Sequence, residues 1–168
     1  MSDVYEKTFP NAGPGPDELS LRAIAGREDV DAIILLLQRD YLCSKCRKQV
    51  RTVAAQYEAF RSAGAEVVAV LPEPKDRVVK WVTSYDLPFP FFADPETVLG
   101  DALEQPVRFG LLGKAADLIG RMPEAALFDA RNGSLELVNV HRGKYPADRP
   151  SVEQLLEWVE DLEREDAD

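Results

Sequence analysis

Six consecutive apolar residues, Ala32 to Leu37, are followed by Cys43-Ser44-Lys45-Cys46 and then by a segment of helical spacing. This succession constrains the chain more than any other feature. A continuous apolar run of strand length suits a strand covered on both faces. From Lys45 to Ser62 the spacing puts Cys46, Val50, Val53, Ala54, Tyr57 and Phe60 on one stripe, and Gly64 follows where a helix commonly ends. Glu66 to Leu71 reads as a second buried strand. Strand, helix and parallel strand form a βαβ unit, with the cysteine pair at its first junction.

The spacing matters chemically. A helix start brings residues i and i+3 close enough to close a disulfide. Cys43, ahead of the helix, is expected at an exposed tip, where unpaired helix N–H groups stabilise a thiolate. Cys46, on the apolar stripe, is expected to point inward and act as the resolving thiol. Lys45, Arg47, Lys48 and Arg51 crowd the same helix, Arg39 lies just upstream, and Asp40 is the single acid between 39 and 51. Cations disfavour a helix N-terminus, so the cluster suggests an anion there; the plainer reading is a solvated helix face. A small buried cysteine is equally a common core residue. A zinc site would need four ligands, and His141 with carboxylates is all that remains.

Elsewhere, residues 1–16 carry Pro10, Gly13, Pro14, Gly15 and Pro16 and read as an irregular lead-in. Pro74 precedes a helix with Val78, Val79, Trp81, Val82 and Tyr85 as its apolar side. Leu87 to Phe92 reads as a short edge strand limited by Pro88 and Pro90. Asp94-Pro95-Glu96 reads as a helix start, with Asp94 as N-cap and Pro95 in the first turn. Residues 105–120, with Phe109, Leu111, Leu112, Leu118 and Ile119, show no clear period. Ala125 to Asp129 and Ser134 to Val140 flank the turn signal Asn132-Gly133. Ser151-Val152-Glu153-Gln154 is a capping box for a last helix with Leu155, Leu156, Val159 and Leu162 inward. The order is three βα units, a hairpin and a closing helix, hence a mixed sheet. One domain over 17–164 is expected, with an acidic, frayed tail at 165–168.

Composition excludes several function classes. Lys+Arg number 20 and Asp+Glu 30, a net charge of −10 that repels nucleic acid. No apolar run approaches the ~18 residues of a membrane span, and the polar N-terminus carries no apolar leader. Two cysteines in such a chain suit a reducing cytoplasm. Of the 20 basic residues, 13 are Arg and 7 Lys; an acidic, lysine-poor surface suits either a high-salt cytoplasm or an ordinary acidic cytosolic protein.

The cysteine motif within βαβ is the pattern of a thioredoxin-like redox fold. More specifically, Ala32–Leu37, Tyr41-Leu42-Cys43-Ser44-Lys45-Cys46, the segment to Phe60, Gly64–Val70 and Leu87-Pro88-Phe89-Pro90-Phe91-Phe92-Ala93-Asp94-Pro95 resemble the alkyl hydroperoxide reductase/thiol-specific antioxidant (peroxiredoxin-like) family. The resemblance implies an α/β thioredoxin-like fold: a mixed central sheet, helices on both faces and a peroxiredoxin-type N-terminal extension. It implies an antioxidant thiol oxidoreductase with Cys43 at the peroxidatic position, no bound cofactor or metal, a thioredoxin-type reductant and a peroxide or protein disulfide as substrate; a homodimer is compatible with it. In this topology Met122-Pro123 would lie opposite the cysteine loop as a cis bond, with Pro123 lining the site. Nothing in the sequence brings His141 near the thiols. The chain also departs from the family. Leu36 and Asp40 stand where peroxiredoxins carry Pro and Thr, and Arg121 is close to, but out of register with, the expected site arginine. The family frame favours peroxide reduction and the Cys-x-x-Cys spacing favours disulfide exchange. A redox sensor, switching without multiple turnover, is the reading from another class.

Overall fold

The computed structural model describes residues 2–107 and 120–167. Its centre is β3 (Ala32–Leu37), every residue of which is buried. On one side β3 pairs in parallel with β4 (Ala65–Leu71), which pairs in parallel with β5 (Phe91–Ala93). On the other side it pairs antiparallel with β6 (Glu124–Asp129), which pairs antiparallel with β7 (Glu136–Arg142). The sheet order is therefore β5-β4-β3-β6-β7, mixed as expected. Two-residue strands β1 (Phe9–Pro10) and β2 (Glu18–Leu19) form a separate small ladder.

Alternation along β3 and β4 splits the core into two layers. Ile34, Leu36, Val67 and Ala69 face α3 (Ser44–Ala55), α4 (Tyr57–Ser62), α5 (Lys75–Tyr85) and α7 (Val152–Ala167), meeting Cys46, Val50, Phe60, Trp81, Leu155 and Val159. Leu35, Leu37, Val68 and Val70 face α1 (Ser2–Glu6), α2 (Leu21–Ala25) and α6 (Val98–Ala102), meeting Tyr5, Ile24, Phe92 and Leu99. Helices thus cover both faces, and the cysteines belong to the first layer.

Several local expectations are corrected. The lead-in is ordered: Tyr5 packs edge-on against Phe128 and Phe9 stacks on Phe92. Buried Asn11 fixes the Pro/Gly stretch by donating to the carbonyls of Pro14 and Pro16, while its Oδ1 accepts the N–H groups of Gly13 and Phe91. The single helix expected after Lys45 is two, broken at Gln56 (φ −112°, ψ 16°). Gly64, with φ +79°, does close the second. Val79 is 40% exposed rather than on the apolar side of α5. The edge strand begins at Phe91 rather than Leu87. Asp94 does cap, from a distance: its carboxylate accepts the N–H groups of Val98 and Leu99, because Thr97 enters the left-handed region (φ 56°) and delays the helix. The acidic C-terminal residues continue α7 through Ala167 rather than fraying at 165. Phe109, Leu111, Leu112, Leu118 and Ile119 lie outside the described residues. Among the described residues no helix is long and apolar enough to cross a membrane.

Candidate active site

Cys43 is the N-cap of α3. Its backbone is extended (φ −68°, ψ 109°), and its Sγ accepts the Cys46 N–H at 3.1 Å. One helical turn sets the two Cα atoms 5.3 Å apart, and the cysteines are joined as a disulfide. Cys46 is fully buried and Cys43 is 5% exposed. Cys43 is therefore the more accessible of the two cysteines, although it is not the open tip its position suggested. The tip is Leu42, 76% exposed.

The loop that covers Cys43 is held by acids. Asp40 Oδ1 accepts the Leu42 N–H at 2.8 Å, and the Asp40 carbonyl accepts the Cys43 N–H at 3.4 Å. The carboxylate at this position thus shapes the turn. Glu73 accepts the Tyr41 N–H and pairs with Arg77, whose guanidinium lies over the Tyr41 ring.

The cation at the sulfurs comes from a distant part of the chain. Arg149 Nη2 donates to Cys46 Sγ at 2.9 Å and lies 3.7 Å from Cys43 Sγ. Its Nη1 donates to Gln38 Oε1 (2.9 Å) and Gln49 Oε1 (2.7 Å), and its Nε to the Pro146 carbonyl (2.8 Å). These are neutral acceptors. Burial, with Arg39 close by, pulls the guanidinium down to about 10, so it is still charged at neutral pH. A half-buried cation surrounded by neutral acceptors is poorly compensated, and a thiolate from either cysteine would compensate it. The Arg39 N–H also donates to Cys46 Sγ, at 3.3 Å.

Local structure explains how Arg149 gets there. After β7 the chain is tied by Gly143 N–H to the Pro123 carbonyl, and by Asp148, which accepts from Lys144 N–H and pairs with His141 Nε2 at 2.9 Å. The Lys144 N–H and His141 hold the Asp148 carboxyl below the usual range. Immediately after Arg149 the capping box forms as expected: Ser151 Oγ accepts the Gln154 N–H and Gln154 Oε1 accepts the Ser151 N–H. His141 thus reaches the site indirectly, through the residue before Arg149.

The other expected supporting residues make contacts of their own. Lys45 is exposed, and Arg47 turns back to donate to the Leu42 carbonyl. Arg121 is buried, with Nη1 on Gln105 Oε1, while its carbonyl accepts Arg39 Nε at 2.6 Å. It supports the loop ahead of Cys43 through its backbone. The Met122–Pro123 bond is trans, for no cis peptide occurs among the described residues; the Pro123 carbonyl anchors Gly143 instead. Gln38, Gln49 and Arg149 were missed. Their sequence signals are weak: two glutamines, and an arginine just before a capping box.

A sheet of this order with a Cys-x-x-Cys helix N-cap defines a thioredoxin-like redox fold. The AhpC/TSA family matches residues 9–109, and the chain belongs to that family. Its fold is that of peroxiredoxin Q from Xanthomonas campestris (TM-score 0.73, 15% identity, 98% of this chain and 95% of that one). The peroxidoxin BcpB of Mycobacterium tuberculosis is comparable (TM-score 0.72, 15% identity, 92% of each chain). In sequence the chain is 33% identical over 97 residues to the thiol-disulfide oxidoreductase ResA of Bacillus subtilis, a match covering 54% of this chain and 54% of that protein. The chain thus matches about half the length of this curated relative.

Proposed function

We propose that this oxidoreductase cycles Cys43 and Cys46 between dithiol and disulfide, reducing a disulfide substrate and drawing electrons from a thioredoxin-type protein. The observation that carries the reading is the disulfide closed within the first turn of α3, with Arg149 against both sulfurs. Such a pair lies within one helical turn, and the sulfurs themselves hold the two electrons.

In the forward half-cycle the Cys43 thiolate attacks a substrate sulfur, a mixed disulfide forms, and one substrate thiolate leaves. Cys46, deprotonated, attacks the Cys43 sulfur, closes the ring and releases the second thiolate. In the return half-cycle a donor thiolate attacks Cys43, the more accessible cysteine, and Cys46 leaves as a thiolate beside Arg149 and the Arg39 N–H. The donor's second thiol then attacks the donor sulfur of the mixed disulfide, forming a donor disulfide and releasing Cys43 as the second thiolate. Exposed Leu42, adjacent to Cys43, offers an apolar contact for that donor.

Peroxide reduction is the second reading, favoured by the family and by the cation at the sulfurs. Here Cys43 attacks the peroxide oxygen, an alcohol or water leaves, and Cys46 attacks the Cys43 sulfenic acid and displaces its oxygen as water. The test is one purified sample assayed for insulin-disulfide reduction and for peroxide consumption, each with a thioredoxin-type reductant. Multiple turnover on the disulfide, exceeding that on peroxide, is expected. A single stoichiometric oxidation with no turnover in either assay would instead indicate a sensor.

A further inference from the structure

A cleft of about 340 Å³ opens between α3 and the segment that leads into α7. Its rim carries Lys45, Lys48, Thr52 and Ser151, its floor includes Val53 and Val152, and one wall is Arg149. Arg149 is the same residue that touches both sulfurs, so the cleft adjoins the redox pair. The volume is that of a small-molecule site rather than a protein-docking surface. None of the described lining residues is acidic, although the chain as a whole carries ten more acids than bases. Lys45 and Lys48 are exposed and in no ion pair among the described residues. Three cations, with no acid among the described lining residues, two hydroxyls and an apolar floor complement a compact organic molecule with a carboxylate and an apolar body.

We propose that this cleft selects small, carboxylate-bearing disulfides as substrates, with Lys48 and Lys45 holding the carboxylate while the substrate S–S bond meets Cys43. The proposal rests on the disulfide-exchange reading above. The electron balance is that of the same half-cycle. The protein dithiol gives up two electrons and two protons, a Cys43–substrate disulfide forms and is then broken by Cys46, and the small disulfide departs as two thiols. Arg149 bridges the two tasks, facing the substrate anion on one side and the sulfurs on the other.

The experiment follows the reduced protein as it reacts with two probes, dianionic dithiobis-nitrobenzoate and neutral dithiodipyridine, in wild type, Lys48→Glu, Lys48→Arg and Lys80→Glu. Lys80, on the exposed side of α5, is the control for net charge. Reversing the charge at this exposed position, Lys48, should slow the anionic probe by up to roughly fivefold. The neutral probe should stay within about twofold in every variant, and Lys48→Arg and Lys80→Glu should resemble wild type with both. Equal rates for Lys48→Glu and wild type on the anionic probe, or equal slowing on both probes, would overturn the cleft assignment. So would charge discrimination seen with a carboxylate-bearing hydroperoxide but absent with disulfides. Failure of the wild type to react with the neutral probe would instead overturn the underlying disulfide-exchange reading.

Discussion

The guanidinium of Arg149 donates to the sulfur of Cys46 at 2.9 Å, across 103 residues of sequence. Its other acceptors are two glutamine oxygens and a carbonyl, so it brings net positive charge to a sulfur pair already placed at a helix N-terminus. Reduction creates the anion that matches this charge, and attack on Cys43 releases that anion on Cys46.

The first prediction concerns this cation. In Arg149→Met both thiols should be harder to ionise, Cys46 because its charge-assisted hydrogen bond is lost and Cys43 because the cation 3.7 Å from its sulfur is gone. Such bonds are worth about 1.5–3 kcal/mol, or roughly one to two pH units in the midpoint. The pH profile of iodoacetamide alkylation of the reduced protein should move upward by that amount, and Arg149→Lys should recover part of it. A profile identical to wild type would show that Arg149 does not act on the thiolate.

The second concerns peroxide. Asp40 stands where the family carries a threonine hydroxyl, and its carboxylate is committed to the Leu42 N–H. A lost transition-state donor typically costs about 10²–10³ in rate. Stopped-flow oxidation of the reduced protein by hydrogen peroxide should therefore be slower by about that factor than for a threonine-bearing member of the family. Equal rates would show that Asp40 or another group supplies the missing interaction.

The third concerns pH and stability. Glu124 is buried at the start of β6, and among the described residues neither of its carboxylate oxygens has a hydrogen-bond partner; Arg142 lies 3.8 Å away, too far for a hydrogen bond. Burial, only partly opposed by Arg142, pushes its carboxyl up to about 8. In the unfolded chain the same group ionises near ~4.3. Between those values the folded state binds more protons, so this group's contribution to stability is complete below ~4 and is lost as pH rises through about 8. Glu124→Gln should raise the melting temperature at pH 8.5 and change it little at pH 5. A larger effect at the acidic end would reverse the assignment.

The fold was legible because its principal strands are continuous apolar runs and its last helix carries a reciprocal cap. Where reading failed, the cause was non-local or left no pattern. Val50, Val53 and Phe60 lie on one buried face across the Gln56 break, so periodicity carried no trace of it. The N-terminal Pro/Gly stretch is ordered by Asn11, whose partner Phe91 is 80 residues away. At the site, the cysteine pair and its burial order followed from spacing. Lys45 and Arg47 seemed the natural cations because they adjoin the motif, yet Lys45 is exposed and Arg47 turns back to the Leu42 carbonyl rather than to a sulfur. Arg149 meets the sulfurs because the hairpin β6–β7 returns the chain to the cysteine end of the sheet and the His141–Asp148 pair fixes the turn.

The central claim is that Cys43 attacks and Cys46 resolves. Its most direct test is single-turnover trapping with a disulfide substrate, read by intact mass and peptide mapping. Cys46→Ser should accumulate one stable mixed disulfide on Cys43, and Cys43→Ser should form none. A mixed disulfide on Cys46 in Cys43→Ser, formed as fast as that on Cys43 in Cys46→Ser, would contradict the account.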